Sequence, residues 1–473
     1  MTAGLLTRIK HVFAPPPRRR PQRKTVRARY DAAQTTPENT RHWSAADILD
    51  AVQSNLSGTR STLRKRSRYE CANNSYAMGV LLTLANDTVG IGPRLQVVTP
   101  DADLNSRIET DFTAWSAAVK LAAKLRTMRM AKARDGEAMA IKFTNTGLGP
   151  VSLDFRLVEC DQVDNPRLDD SSGYTEGIRF DENGLPLSYY LFNAHPGGSS
   201  GDYGGKDVGA DYFIHWFRQD RPGQVRGIPE ITAALPLFAR ERRYTLAVIA
   251  AAELAAEYTG VMKTNQSLDQ LAADIDDDDF AEFELERGTI TTFPEGWDLA
   301  QLRPEQPATV YEMFKHEIIN EIARCVNMPY NIAACNSSSY NYASGRLDHQ
   351  TYDRSLRVER SDCESVVLEN LFSSWIGEWA LVNNRPIDAS HYSHHWMWQN
   401  REHVDPNKEA MAQSTRLGSC TTTLKDEWAA RGEDWEAKLQ QIAAERACMA
   451  ELGIQLAPAA RHAPAQEDKD DEE

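Results

Sequence analysis

A helical pattern runs from about Pro229 to Tyr258, and its second half, Ala247 to Ala256, is rich in alanine with Leu254 among them. At ~1.5 Å per residue such a helix would extend roughly 45 Å. A small-residue face packs closely against other helices, so this element needs neighbours to bury it. Gly260 ends it. A second helical pattern, Ala308 to Val326, follows a mixed insert, and a very long one with a kink runs from about Ser344 to Val382. The chain has 473 residues, 41% hydrophobic and 26% charged, which is globular composition with room for roughly three domains.

Around these helices the periodicity alternates between helix and strand. Arg60 to Ala85 places Leu63, Tyr69, Tyr76, Val80 and Leu84 at helical spacing, and Gly90-Ile91-Gly92-Pro93 stops it. Asp101 to Lys132 is a further helical stretch around Ile108, Phe112 and Trp115. Strand-like runs follow at Ala138–Phe143, Ser152–Val158, Gly177–Phe180, Ser188–Phe192 and Phe213–Phe217, separated by turns such as Asp181-Glu182-Asn183-Gly184. The loop His195 to Gly209, rich in Gly and Ser, is expected to be mobile. Two more strand-like runs, Gly288–Phe293 and Trp297–Leu302, lie in the insert, and short helices are expected at Asn407–Gly418, Thr423–Ala430 and Asp434–Leu452. The fold class is α+β.

Charge is unevenly spread. Met1 to Tyr30 holds nine basic residues and no acid, a low-complexity arm beside Pro15–Pro17. Taking those nine from 53 Lys and Arg leaves 44 against 68 Asp and Glu, so the remainder stands near −24. Such a body does not grip DNA, because phosphate affinity comes mainly from Lys and Arg; it can surround DNA without holding it. No apolar run reaches the length of a membrane span, and no secretory signal precedes Arg18–Arg20. Seven cysteines, without a Cys-x-x-Cys pair, suit free thiols in a reducing cytoplasm.

The motifs that carry chemistry are each incomplete. Gly197-Gly198-Ser199-Ser200-Gly201 matches a serine nucleophile elbow, the one support for a hydrolase reading, but Asp202-Tyr203-Gly204-Gly205 cannot start the helix that geometry needs. His316-Glu317-Ile318-Ile319-Asn320 has asparagine where a second zinc ligand belongs. Gly205-Lys206 is followed by Asp207, which repels phosphate, and Gly90-Ile91-Gly92 has Leu95 in place of the third glycine. His391, His394 and His395 lack a placed carboxylate or cysteine. The acidic run Asp274 to Glu286 misses the calcium-loop alternation and reads as a solvated face or a docking surface for a basic partner. No catalytic residue, cofactor or metal is expected.

Several segments, in order, resemble the lambda-type phage portal family. They are Arg29-Tyr30-Asp31-Ala32-Ala33, Arg66-Ser67-Arg68-Tyr69-Glu70 with Asn73-Asn74-Ser75-Tyr76-Ala77, Gly90-Ile91-Gly92-Pro93 and Arg134-Asp135-Gly136-Glu137. Then come His215-Trp216-Phe217 running into Arg221-Pro222-Gly223-Gln224-Val225-Arg226-Gly227, Met328-Pro329-Tyr330, Tyr340-Asn341-Tyr342-Ala343-Ser344 and Val404-Asp405-Pro406-Asn407-Lys408-Glu409. The resemblance implies a dodecameric ring at one capsid vertex, through which DNA is packaged and ejected. It also implies an α+β wing (30–227), paired stem helices (228–259 and 307–327) and a small mixed clip (260–306). A tunnel loop (328–343), a long helix returning to the wing (344–385), a wing strand region (386–403) and a helical crown (404–456) complete it, between the basic arm (1–29) and an acidic tail (457–473). Position alone then assigns Asn331, Asn336, Ser337, Ser338, Ser339, Tyr340 and Asn341 to the DNA channel. Asp276, Asp277, Asp278 and Asp279 fall in the clip, which meets the terminase large subunit and later the head-completion or adaptor proteins. The remaining implied partners are copies of the chain itself, the major capsid and scaffold proteins, and double-stranded DNA passing without sequence preference. The implied location is the virion, after assembly in the host cytoplasm.

Overall fold

The structure is a computed structural model that describes residues 40–166, 173–199, 202, 204–257, 261–264, 297–300, 308–338, 340–399 and 406–454. It separates into two units, Met1–Asp50 and Ala51–Glu473. The described part of the first, residues 40–50, is exposed and begins with a turn in which Ser44 Oγ donates to the Arg41 carbonyl (3.1 Å).

The second unit opens with α1 (Ser57–Asn73) and α2 (Ser75–Val89). The single helical pattern expected over Arg60–Ala85 is therefore two helices. Asn74 breaks it in extended geometry and caps α2, its Oδ1 accepting from the amides of Tyr76 (3.0 Å) and Ala77 (3.4 Å). Strand β1 (Arg94–Val97) follows, then α3 (Ala102–Ala118) and α4 (Leu121–Asp135). The second expected helix is divided too, at Lys120, which sits in the left-handed region (φ 56°). Apolar spacing alone does not register one residue of irregular backbone, which is why both breaks escape a periodicity argument.

Strands β2 (Glu137–Thr144) and β3 (Leu153–Val158) come next, then β4 (Ile178–Phe180), β5 (Pro186–Phe192), β6 (Gly205–Gly209) and β7 (Phe213–Phe217). They form two antiparallel sheets, ordered β3-β2-β7 and β4-β5-β6. Gly205 to Gly209, expected within a mobile loop, is instead β6, paired with β5 through Tyr190 opposite Asp207. The pairing is main-chain, so it needs no side-chain pattern. A Cβ on Gly205 would lie 2.7 Å from the Leu191 carbonyl oxygen.

Helix α5 (Leu235–Glu257) starts after a 3-10 turn at Thr232–Ala234. The insert is described only as the ribbon of β8 (Val261–Thr264) and β9 (Trp297–Ala300); the expected strand Gly288–Phe293 lies outside the described residues. After α6 (Ala308–Cys325) and the single turn α7 (Tyr330–Ala333), one helix runs from Tyr342 to Val382 in three parts. These are α8 (Tyr342–Cys363), a π-helical turn (Glu364–Leu368) and α9 (Glu369–Val382). Strand β10 (His394–Met397) then pairs antiparallel with β1, and α10 (Pro406–Gly418), α11 (Leu424–Ala429) and α12 (Trp435–Glu451) close the described chain.

Two main cores result. One gathers α3, α4, the β3-β2-β7 sheet and α9 around Trp115, Trp216, Trp375 and Trp379. The other gathers α2, the roots of α5 and α6, and α8 around Leu81, Phe238, Ile322 and Tyr352. A smaller cluster, with Tyr189 stacked on Phe213 (4.1 Å between ring centres), joins the two sheets.

Candidate functional site

Helices α5 and α6 are rooted at one end and uncovered at the other. Phe238, Ile319, Ile322 and Ala323 are buried in the second core. Beyond them no residue from 242 to 253, nor from 311 to 318, is buried. The pair still touches there: Tyr244 stacks on Tyr311 (5.5 Å), the Thr245 hydroxyl lies 3.3 Å from that of Tyr311, and Lys315 reaches Glu241 (3.4 Å). Leu246, Ile249, Met313 and Phe314 stay exposed.

The polar stretch after α6 is only partly a loop. Pro329 starts the turn α7, and Asn331 within it is buried, its Nδ2 3.1 Å from His349 Nε2. Asn331, expected from position to line a channel, is packed against α8 in the single chain. Asn336, Ser337 and Ser338 are exposed, Tyr340 is half-buried, and Ser339 lies outside the described residues. Asn341 caps α8: its side chain accepts from the Ser344 amide (2.9 Å) while its own amide donates to Ser344 Oγ (3.3 Å). Asp276, Asp277, Asp278 and Asp279 lie outside the described residues.

The incomplete chemical motifs are placed as follows. Lys206 stands in β6 rather than before a helix, and the chain after Gly201 enters that strand. His316 packs on the ring of Tyr330 (3.9 Å), and His394 reaches Glu369 (3.0 Å). Glu159, Asp161 and His195 come together closely enough to hold a cation. Asp161 is already bound by Arg68 (2.5 Å) and Arg64 (3.3 Å), which oppose a metal there.

Sequence reasoning missed the densest polar site among the described residues, a buried ionic junction. Arg60, Arg64 and Arg68 share one face of α1 at four-residue spacing, a pattern legible in the sequence. Arg64 donates to Glu137 at the start of β2 and to the Asp135 carbonyl (3.1 Å); Arg68 donates to the Asp135 carboxylate (2.6 Å). Arg226, fully buried, holds Glu137 through Nε (2.9 Å) and Nη2 (2.5 Å) and reaches the carbonyls of Val163, Glu176 and Cys160. His215 (2.9 Å) and the Gly227 amide (3.1 Å) complete the shell around Glu137. Burial alone would raise the Glu137 carboxyl, but Arg226 and Arg64, with the His215 hydrogen bond, hold it well below the usual carboxylate range. Burial likewise pushes His215 down.

A second buried group lies close by. Arg129 and Lys132 of α4 bind Glu230, ahead of α5, and Glu359 of α8. Every carboxylate named in these two groups has a cationic partner. The arrangement offers no free nucleophile or base; it fixes α1, α4, α8 and the segment leading into α5 against the sheet.

The sequence profile described as "Phage portal protein, lambda family" matches residues 37–360. A probable portal protein of Halomonas phage phiHAP-1 is 23% identical over 490 aligned residues, covering 95% of this chain and 94% of that one. Among solved structures, the neck of an empty GTA particle computed with C6 symmetry is similar at a TM-score of 0.48 and 12% identity, over 76% of this chain and 91% of that one. The virion of a native gene transfer agent particle is similar at 0.43 and 11%, over 84% and 99%.

Proposed function

Because the chain belongs to the lambda family of phage portal proteins, we propose that its copies close into a ring at one vertex of the capsid and that DNA passes through the centre. The observation that carries the ring is the uncovered length of α5 and α6. A helix pair that exposes Leu246, Ile249, Met313 and Phe314, with no buried residue over 242–253 or 311–318, is an incomplete interface, and the same pair on a neighbouring copy would complete it. In this reading the α+β region is the wing and α5 with α6 the stem. The insert between them is the clip, and α10 to α12 are the crown. The exposed residues Asn336, Ser337, Ser338 and Asn341 face the DNA, with neutral groups that let the duplex slide.

The family is structural, and the chain supplies no chemistry in this reading; a separate terminase drives translocation and docks at the clip, where Asp276 to Asp279 meet a basic surface. Head-completion proteins use the same end, and the major capsid and scaffold proteins are the remaining partners. Among the described residues no helix is long and apolar enough to cross a membrane. Native mass spectrometry of the purified chain tests the ring: closed cyclic particles, near twelve subunits, are expected. A stable, cooperatively folded monomer at micromolar concentration would overturn the reading.

A further inference from the structure

Ile91-Gly92-Pro93, from a motif that neither the ring nor the channel reading uses, walls a cavity of about 400 Å³ between β1, α3 and α4. Gly92 allows the close wall: its φ is +102°, and a Cβ there would lie 2.8 Å from that of Ala122 in α4. The buried side chains of Leu95, Phe112 and Leu121 supply the apolar part of the lining. The charged part is Arg94, Lys120 and Arg126, and no carboxylate lines this cavity. A larger cavity beside α8, about 660 Å³, instead mixes its cations with Glu364 and Asp426. Arg126 donates to the Gly90 carbonyl (2.5 Å), which fixes the wall and uses one of the five donors of a guanidinium. Arg94 and Lys120 are exposed, and their side chains make no hydrogen bond or ion pair among the described residues.

We propose that this cavity binds a small phosphate-bearing anion, either an inorganic polyphosphate or the phosphate end of a nucleotide. Three cations from β1, the α3–α4 junction and α4 repel one another unless an anion stands among them. Phosphate fits them better than carboxylate does. It carries more than one negative charge near neutral pH and acceptor oxygens on several sides, so it meets three segments at once, whereas a carboxylate presents one planar edge. The volume suits a small molecule. No carboxylate or imidazole lines the cavity, so the ligand is held and not hydrolysed. The site rests on neither the ring nor the channel reading.

Isothermal titration calorimetry of the full-length protein at constant ionic strength tests it, with sodium pyrophosphate and ATP in separate runs. Pyrophosphate should bind with a Kd below about 1 mM, and Arg94→Gln with Lys120→Gly should weaken it at least about tenfold. Both positions are exposed, and glycine suits the left-handed backbone at 120 (φ 56°), so the double variant should fold. If it does not, Arg94→Gln alone decides. Lys65→Gln, on the exposed face of α1 and outside the cavity, should leave the affinity unchanged. ATP binding tighter than pyrophosphate identifies a nucleotide as the ligand; equal or weaker binding identifies the inorganic anion. No pyrophosphate binding, or an equal loss in Lys65→Gln, would overturn the site. So would a short DNA duplex that binds through Arg94 and Lys120 where pyrophosphate does not, since these residues would then be a DNA contact. Neither ring closure nor packaging enters the measurement, so the two readings stand or fall separately.

Discussion

Gly227 and Gly136 stand back to back: a Cβ on Gly227 would lie 2.1 Å from the carbonyl oxygen of Gly136. The approach is mutual, since a Cβ on Gly136 would meet the Ile228 backbone at 2.4 Å, and Gly136 also has φ +95°. The Arg-Asp-Gly-Glu segment and the segment ending Arg226-Gly227 can therefore touch only as glycines. Gly227→Ala should cost at least about 4 kcal/mol, because backbone rather than a movable side chain stands in the way. Denaturant unfolding of soluble protein checks this; a loss under about 1 kcal/mol would show that the two segments part easily.

Glu137→Ala should destabilise by about 3–5 kcal/mol, more than the side chain's size suggests, because Arg226 and Arg64 would be left buried without their shared carboxylate. Adding Arg226→Met to that variant should recover part of the loss. Chemical denaturation of the three variants in parallel gives the comparison, and no recovery in the double variant would mean that the pair acts through packing alone.

Glu109 predicts a pH dependence of opposite sign to the usual carboxylate. Burial, with Asp434 and Glu436 nearby, raises its carboxyl from 4.5 to about 7, against the hydrogen bond it accepts from the Val97 amide (2.7 Å). Its folded pKa lies above its unfolded one, so its contribution is full below pH 4.5 and is lost as the pH rises to about 7. Glu109→Gln should melt like wild type near pH 4 and at a higher temperature than wild type at pH 8. Identical melting curves at both pH values would place the carboxyl in water.

Ser338→Lys should preserve the ring yet slow DNA packaging at low salt, with the slowing fading as salt rises. A ring of added cations attracts a duplex that carries one charge per ~1.7 Å, and counterion release makes that attraction salt-dependent. Packaged DNA is followed against time at two salt concentrations. Wild-type rates in low salt from intact mutant rings would remove Ser338 from the channel wall.

β3 was legible because Leu153 and Phe155 point inward and Arg156 out, whereas β6, with no such alternation, read as a loop. Helices were legible as stretches, less so in their breaks at Asn74 and Lys120. The π turn was hidden because apolar residues at four-residue spacing, such as Cys363, Val367 and Leu371, fit an α-helix and a wider turn alike. At the candidate site, composition marked 331–342 as polar, but not that Asn331 turns inward to His349. The residues of the ionic junction are far apart in the sequence. Nothing local says that Arg64, Glu137, His215 and Arg226 meet, since their contact depends on how β2, β7 and α1 are brought together.

The first core holds Trp115, Trp216, Trp375, Trp379 and Trp398, with Trp396 packed against it; the second core has no tryptophan, its aromatic rings coming from Tyr76, Phe238, Tyr330 and Tyr352. Intrinsic fluorescence therefore reports mainly on the half of the molecule built around α9. Opening of the half that roots α5 and α6 would pass almost unseen in an emission spectrum. Exciton coupling between Trp375 and Trp379, whose rings lie 6.2 Å apart, would keep its near-ultraviolet signature throughout. A melting curve followed by tryptophan emission thus carries the first core's signal, with that of Trp43, Trp297, Trp428 and Trp435 outside it, and an indole placed at Phe238 would make the second core visible.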